Sequence, residues 1–183
     1  MKDNRTTEYQ NDDWCVNDMK VCFIGYRRME VTRELRSALY DALDELVRLG
    51  ATEFLFGERS RFDDLCYEAV TRLKSEYYLI RRVRFRVDEA DACRDAGRHP
   101  PVGYEACFTS VRARSTWRVS GAELNQAMIR ESDACVFYYD PAYISPRRAK
   151  RPLDGNRPRG GIAIAYAYAE KLGKRIINLC PNA

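Results

Sequence analysis

The sequence has little of what the common nucleotide, metal and disulfide sites require. It contains neither GxGxxG nor GxxxxGK[ST], so the dinucleotide fingerprint and the phosphate-binding NTPase loop are both missing. Its single histidine, His99, and its seven scattered cysteines form no CxxC pair, which argues against structural zinc and a disulfide framework. The longest apolar run, Gly160 to Ala169, is about half of a membrane span. We therefore expect no cofactor, no metal and no membrane partner.

What remains is typical of one folded domain. The chain has 183 residues, of which 45% are apolar, enough for a core. Cys22, Cys66 and Cys135 fall in apolar segments, which is typical of buried free thiols in a reducing compartment. Residues 1–18 are polar and acidic, without an apolar stretch for a signal peptide. We expect a disordered tail or a functional arm over 1–18, a domain over 19–183, and a cytoplasmic location.

Lysine is also scarce, because arginine outnumbers it 25 to 6 within a net charge of +4. Arginine forms planar, bidentate contacts with phosphates and carboxylates, although a GC-rich genome would give the same bias. Residues 142–160 alone carry six basic side chains against one acidic one, so the basicity is local. This segment is predicted to be a clamp for an anionic ligand or, alternatively, a solvated loop.

Short apolar runs alternate with segments of helical spacing. Leucines recur at three- and four-residue steps before Gly50, which is typical of a helix closed by a glycine. The segment IAIAYAYAEKLG alternates like a strand, but its alanines, the preceding Gly pair and its Lys-Leu-Gly end favour a helix. We predict strands at 19–25, 52–56, 77–87, 134–139 and 175–180, and helices at 31–49, 61–74, 121–131 and 162–173.

This alternation predicts an α/β fold: a single Rossmann-like, doubly wound, mainly parallel sheet of about five strands, with helices on both faces. In the third strand, Val83, Phe85 and Val87 alternate with arginines, which indicates a position near an edge or a mouth of the sheet. Residues 89–119 give no clear pattern.

The first two predicted strands end in loops suited to an anion or a sugar hydroxyl. Parallel strands of such a sheet present their carboxyl ends, and the ligand, at one edge. The first loop contains a glycine that permits close approach and arginines that can clamp phosphate, or that are only solvated. In the second, Ser60 or Asp63 would cap the following helix, and a carboxylate would either hold a ribose hydroxyl or only favour the helix dipole. The candidate ligand residues are Gly25, Tyr26, Arg27, Arg28, Gly57, Arg59, Ser60 and Asp63.

Two later loops add candidates at the same edge. Asp140 follows the fourth strand, where its carboxylate would bind a hydroxyl or, with Pro141, only form a turn. Arg159, Gly160 and Gly161 precede the last helix, whose free N–H groups and positive dipole end would seat an anion.

Four segments, in order along the chain, carry a family resemblance: CFIGYRRM, FLFGERSRFDDLCYEAVTRLK, NQAMIRESDACVFYYD and GGIAIAYAYAEKLGKRIINL. Together they resemble the SLOG superfamily, the Rossmann-like group of the DNA-processing protein DprA, the Lonely Guy phosphoribohydrolases and the YspA/YoqJ-like proteins of bacteria and phages. The resemblance spans residues 19–180, is weakest over 89–119, and is greatest to the YoqJ-like branch. It implies a nucleotide pocket at the strand ends that includes Gly25, Arg27, Gly57 and Asp63.

The sequence also departs from the family pattern at four positions. Tyr26 replaces a histidine, Leu124 an arginine, and Ile162 a threonine whose hydroxyl would help to hold phosphate. Ala165 stands where the hydrolytic Lonely Guy members have a glutamate. The resemblance thus implies that the pocket is kept, with Ile162 at its edge, and that hydrolysis would need another carboxylate. The catalytic candidates are Asp63, Glu58 and Glu68.

The leading hypothesis is a binding protein that senses or sequesters a nucleotide-derived signal, as this superfamily is thought to do in bacterial and phage conflict. The alternative is an enzyme that cleaves an N-glycosidic bond, with a carboxylic acid as proton donor. A third interpretation is nucleic-acid binding, with tyrosines stacking bases, although a net charge of +4 is modest for that task. Relatives with this fold form dimers, so we also expect a homo-oligomer.

Overall fold

The computed structural model describes residues 18–57, 60–89, 101–112, 120–143 and 160–181. The predicted tail therefore lies outside the described residues up to position 17, as does most of the basic segment 142–160. The elements are β1 (Met19–Ile24), α1 (Arg33–Arg48), β2 (Ala51–Phe56), α2 (Arg61–Leu73), β3 (Arg81–Glu89), β4 (Ala106–Arg112), α3 (Gly121–Glu131), β5 (Ala134–Phe137), α4 (Gly161–Lys171) and β6 (Arg175–Asn178).

All strand pairings in the sheet are parallel, in the order β4-β3-β2-β1-β5-β6. The chain runs outward from β1 to β4 and then returns to place β5 against the other side of β1. The strand order thus reverses between β1 and β5, which is where doubly wound sheets bind their ligands. The predicted α/β fold is confirmed, but with six strands. The additional strand, β4, lies in the stretch 89–119 that showed no pattern.

Helices cover both faces of the sheet, as predicted. One core cluster joins α1 and α2 to side chains such as Phe23, Phe54 and Val136, and the other joins α3 and α4 to Ile24, Phe85 and others on the opposite face. Cys22, Cys66 and Cys135 are buried and free, which confirms the sequence expectation.

The last helix, α4, resolves the ambiguous alternating segment. The residues that it buries against the sheet are Ala165 and Ala169, four positions apart. Ala167, which would share their face in a strand, is exposed, so the burial pattern follows the helical repeat and not the two-residue repeat of a strand. The helix prediction from alanine content and flanking glycines is therefore confirmed.

The alternation along β3 is confirmed, since Val83 and Phe85 are buried while Arg82 and Arg84 are only partly covered.

Arg82 holds the carboxylate of Glu105. Its guanidinium lies over the Tyr67 ring, 4.9 Å from the centroid, and donates hydrogen bonds to Glu105 through two nitrogens. Lys74 adds a second cation 3.4 Å from the same carboxylate. Burial alone would raise the pKa of Glu105, but the hydrogen bonds and charges of Arg82 and Lys74 lower it to about 2.

Replacing Glu105 by Gln is expected to lower the free energy of unfolding at neutral pH by about 2 kcal/mol, because charge-assisted hydrogen bonds are lost. The folded-state pKa lies below the ordinary value, so this stability is present above about pH 4.5 and is lost as the pH falls toward 2. Urea unfolding of Glu105→Gln at several pH values should give a flatter profile below pH 5 than wild type. Glu68→Gln, in an exposed ion pair with Arg36, should change little. A free energy of unfolding that falls as steeply below pH 5 in Glu105→Gln as in wild type would contradict this account.

Candidate functional site

The β1 and β5 loops meet at the point where the strand order reverses. The ladder between the two strands continues one residue past β5, since Tyr138 N–H donates to the Ile24 carbonyl over 3.1 Å. Beyond it, the Tyr26 hydroxyl donates to the Asp140 carbonyl and accepts from the Asp140 N–H, each at 3.1 Å. Burial raises the pKa of the Tyr26 phenol, which keeps it protonated and able to donate. The structure thus joins two of the predicted site residues directly.

A row of aromatic rings extends from the core to the surface beside this contact. The fully buried Phe62 lies 6.0 Å from Tyr138, which lies 6.1 Å from Tyr26, which in turn lies 4.4 Å from Tyr143 (ring centroids). Tyr143 is 41% exposed, whereas Phe62 is 0% exposed. We call these four residues the aromatic row. Sequence reasoning missed it because its members come from three separate segments.

Asp140 organises the turn that ends the row. One of its carboxylate oxygens accepts from Ala142 N–H at 2.8 Å, and its carbonyl accepts from Tyr143 N–H at 3.1 Å. These contacts match the turn-forming alternative for Asp140 and fix the position of Tyr143.

Asn178, at the end of β6, is a site residue that sequence reasoning missed. Its side-chain oxygen accepts from Tyr139 N–H at 3.0 Å and its amide nitrogen donates to the Tyr139 carbonyl at 2.9 Å. The side chain therefore replaces a strand partner and holds Tyr139, whose ring lies 4.9 Å from that of Tyr166 on α4. An asparagine at the end of an apolar strand was the available signal.

The first loop is held against α2, and Phe62 fills the space beside its glycine. A Cβ added to Gly25 would lie 2.4 Å from Phe62 ring atoms, so this glycine makes room for Phe62. Arg61 N–H donates to the Arg27 carbonyl at 3.3 Å. The side chains of Arg27 and Arg28 are exposed at this edge, where they can meet an anion.

The second loop leads into a closed cap at the start of α2. Ser60 accepts from Asp63 N–H at 3.0 Å, while the Asp63 carboxylate accepts from Ser60 N–H at 3.1 Å. Arg84 donates to the Gly57 carbonyl. Burial raises the pKa of Asp63 to about 7, against the lowering effect of the bonds from Ser60. Asp63 is therefore a carboxyl group able to carry a proton near neutral pH.

The start of α4 differs from the starts of the other described helices. Thr32, Ser60 and Ser120 cap α1, α2 and α3 with side-chain oxygens. Gly160 offers α4 no such cap, and among the described residues a Cβ at Gly160 or Gly161 would meet no atom within 4 Å. The first N–H groups of α4, including those of Gly161 and Ile162, lack intrahelical acceptors and carry the positive end of the dipole.

The remaining candidates lie away from this edge or outside the described residues. Glu68 is exposed on α2 and pairs with Arg36 at 3.0 Å. Ala165 is buried in the core. Glu58, Arg59 and Arg159 fall outside the described residues. Among the described residues, no cluster of His, Cys, Asp or Glu side chains could hold a metal ion. No helix in the same part of the chain is long and apolar enough to cross a membrane.

Comparison with known proteins gives a likeness to solved structures. No protein-family model and no curated protein matches the sequence. The structure is similar to that of DNA processing protein A from Helicobacter pylori, which binds single-stranded DNA, with a TM-score of 0.49 and 14% sequence identity. The likeness covers 88% of this chain and 65% of the Helicobacter pylori protein, so this chain spans less than two thirds of the length of that protein. A function for this chain has to rest on its own residues.

Proposed function

We propose that this protein binds a nucleotide or nucleotide-derived anionic ligand at the carboxyl ends of β1 and β5, with its phosphate on the first turn of α4. The observation that carries the proposal is the missing side-chain cap at Gly160, beside the point where the strand order reverses. Ile162 and Tyr166 of α4 share a core cluster with Tyr139, which brings this helix end to the β5 loop. Amides without an intrahelical acceptor and the positive dipole end favour an anion there.

Further residues support the ligand class. The exposed Arg27 and Arg28 add positive charge at the same edge, and guanidinium groups suit phosphate oxygens. The four-segment resemblance to the SLOG superfamily supports a nucleotide ligand and a role in sensing or sequestering a nucleotide-derived signal. The homo-oligomer expected from that resemblance stays a prediction.

Isothermal titration of the full chain tests the proposal. We expect binding heats with at least one member of a panel of nucleoside monophosphates, cyclic nucleotides and ADP-ribose derivatives, and a weaker response to inorganic phosphate. Unchanged heats across the panel would refute it. A thymidine oligonucleotide that binds while every small nucleotide fails would instead favour the nucleic-acid interpretation.

A second candidate function is cleavage of a nucleotide N-glycosidic bond, favoured by the proton that Asp63 can carry near neutral pH. A carboxylic acid with a raised pKa can protonate a departing base and so act as general acid. Because that role needs the protonated form, turnover would fall as the pH rises through about 7.

Asp63→Asn separates the two candidates. Asparagine keeps an oxygen for Ser60 N–H but removes the transferable proton, so an enzyme should lose about 100-fold or more in turnover and keep its affinity. The measurement is chromatography of free base released from nucleoside monophosphates. No free base from the wild-type protein would eliminate the enzyme hypothesis.

A further inference from the structure

Tyr143 combines exposure with a fixed position. Its side chain is 41% exposed, yet its N–H donates to the Asp140 carbonyl at 3.1 Å and its ring lies 4.4 Å from Tyr26. An exposed ring that is already held loses little conformational freedom when a ligand covers it.

The rings behind Tyr143, those of Tyr26 and Tyr138, are also held by several contacts. Tyr26 is fixed through its hydroxyl on the Asp140 backbone and through its edge contact with Tyr138. Tyr138 in turn lies against Phe62, which is fully buried in the core. The aromatic row therefore presents one pre-positioned ring at the surface.

The place of Tyr143 in the fold sets it apart from other exposed apolar side chains. In the described ranges, every other large exposed apolar residue comes shortly before a strand begins. These residues therefore lie at the amino-terminal edge of the sheet. Tyr143 instead follows the carboxyl end of a strand, where ligands of such sheets bind. The others are Leu49, Tyr78, Leu79, Val102 and Leu172.

We propose that Tyr143 is the stacking platform for the base of the nucleotide ligand. This rests on the proposed function, which places the phosphate on α4. Tyr138 and Tyr139 are consecutive, and the first leads to the aromatic row while the second contacts Tyr166 of α4. A nucleotide lying across the β5 loop would place its base against the aromatic row and its phosphate against α4.

The test combines truncation of the ligand with truncation of the residue. Adenosine 5′-monophosphate and ribose 5-phosphate, which lacks the base, are titrated into wild type, Tyr143→Leu and Tyr143→Phe. We expect wild type to prefer the adenine compound by about tenfold, and Tyr143→Leu to lose about that factor for it while binding ribose 5-phosphate within twofold of wild type. Tyr143→Phe keeps the stacking face and should bind both as wild type does.

The outcomes separate this inference from the proposed function. If wild type binds both compounds equally, or Tyr143→Leu weakens both by the same factor, the platform is refuted while the anion site stands. If neither compound binds wild type, the platform is refuted, and the proposed function fails as well only if the whole nucleotide panel gives no binding heats. A thymidine oligonucleotide that binds a hundredfold tighter than the monophosphate, and loses that advantage in Tyr143→Leu, would identify the ligand as a nucleic-acid strand and not a mononucleotide. Thermal unfolding of each variant checks that Tyr143→Leu is folded.

Discussion

Gly25→Ala is expected to lower the free energy of unfolding by about 3 kcal/mol, the upper end of the usual cost of overpacking. The new Cβ would lie 2.4 Å from two Phe62 ring atoms and 2.7 Å from its Cβ, so the side chain as a whole must shift. Phe62 is fully buried at the start of α2, where it has little space to move. Urea denaturation of the purified variant gives the difference directly.

Two other glycines provide a graded control. At Gly57 the new Cβ would lie 3.0 Å from the Met128 sulfur, a flexible side chain that can yield, so Gly57→Ala should cost less than Gly25→Ala. At Gly161 the new Cβ would meet no atom of the described residues within 4 Å, and Gly161→Ala should be as stable as wild type or slightly more so. Equal losses for Gly25→Ala and Gly161→Ala would show that Phe62 does not fill the space at Gly25.

Gly160→Asp is expected to weaken nucleotide binding at least tenfold while leaving the fold at least as stable. The aspartate would cap α4 as Ser60 caps α2, so its oxygen would occupy an amide that the phosphate needs and its charge would repel the phosphate. A glycine cap is only a few tenths of a kcal/mol poorer than an aspartate cap, so the gain in stability is small. Opposite effects on binding and on unfolding distinguish a lost site from a damaged fold.

Substitutions at the same position serve as controls. Gly160→Ala adds a methyl group that meets no described atom within 4 Å and brings no capping oxygen, so it should bind within twofold of wild type. Gly160→Asn caps the helix without the charge and should fall between the alanine and aspartate variants. Titration with adenosine 5′-monophosphate compares all three. If Gly160→Asp binds as wild type does, the phosphate does not lie on α4.

Most of the fold follows from local patterns. Leu35, Leu39, Leu43 and Leu46 are spaced along one helix face, and all four are buried in α1. Gly50, predicted to end that helix, has φ of 102°, a conformation that glycine adopts without strain. β4 was missed because ACFTSVR mixes polar and apolar residues, and it pairs only with β3 at the sheet edge. An edge strand needs a less apolar sequence than a central one, which weakens the signal.

The site was only partly predictable, because spacing along the chain tells which loops share an edge but not which side chains meet. Gly25, Tyr26, Asp63 and Asp140 are predicted site residues because of their places after strands or at a helix start. The contact of Tyr26 with Asp140 joins residues 114 positions apart, and the Asn178 contact with Tyr139 joins residues 39 apart. Gly25 was assigned to ligand approach, whereas the structure uses its missing side chain to seat Phe62.

The most direct measurement of the central claim is the amide NMR spectrum of the isotope-labelled full chain during titration with adenosine 5′-monophosphate. If the phosphate lies on the first turn of α4, the largest shift changes should fall on the N–H groups of Gly161 and Ile162. The Gly161 and Ile162 signals should respond to ribose 5-phosphate as well, since it carries the same phosphate. A titration that leaves both signals in place, whether other amides move or none do, would contradict the account.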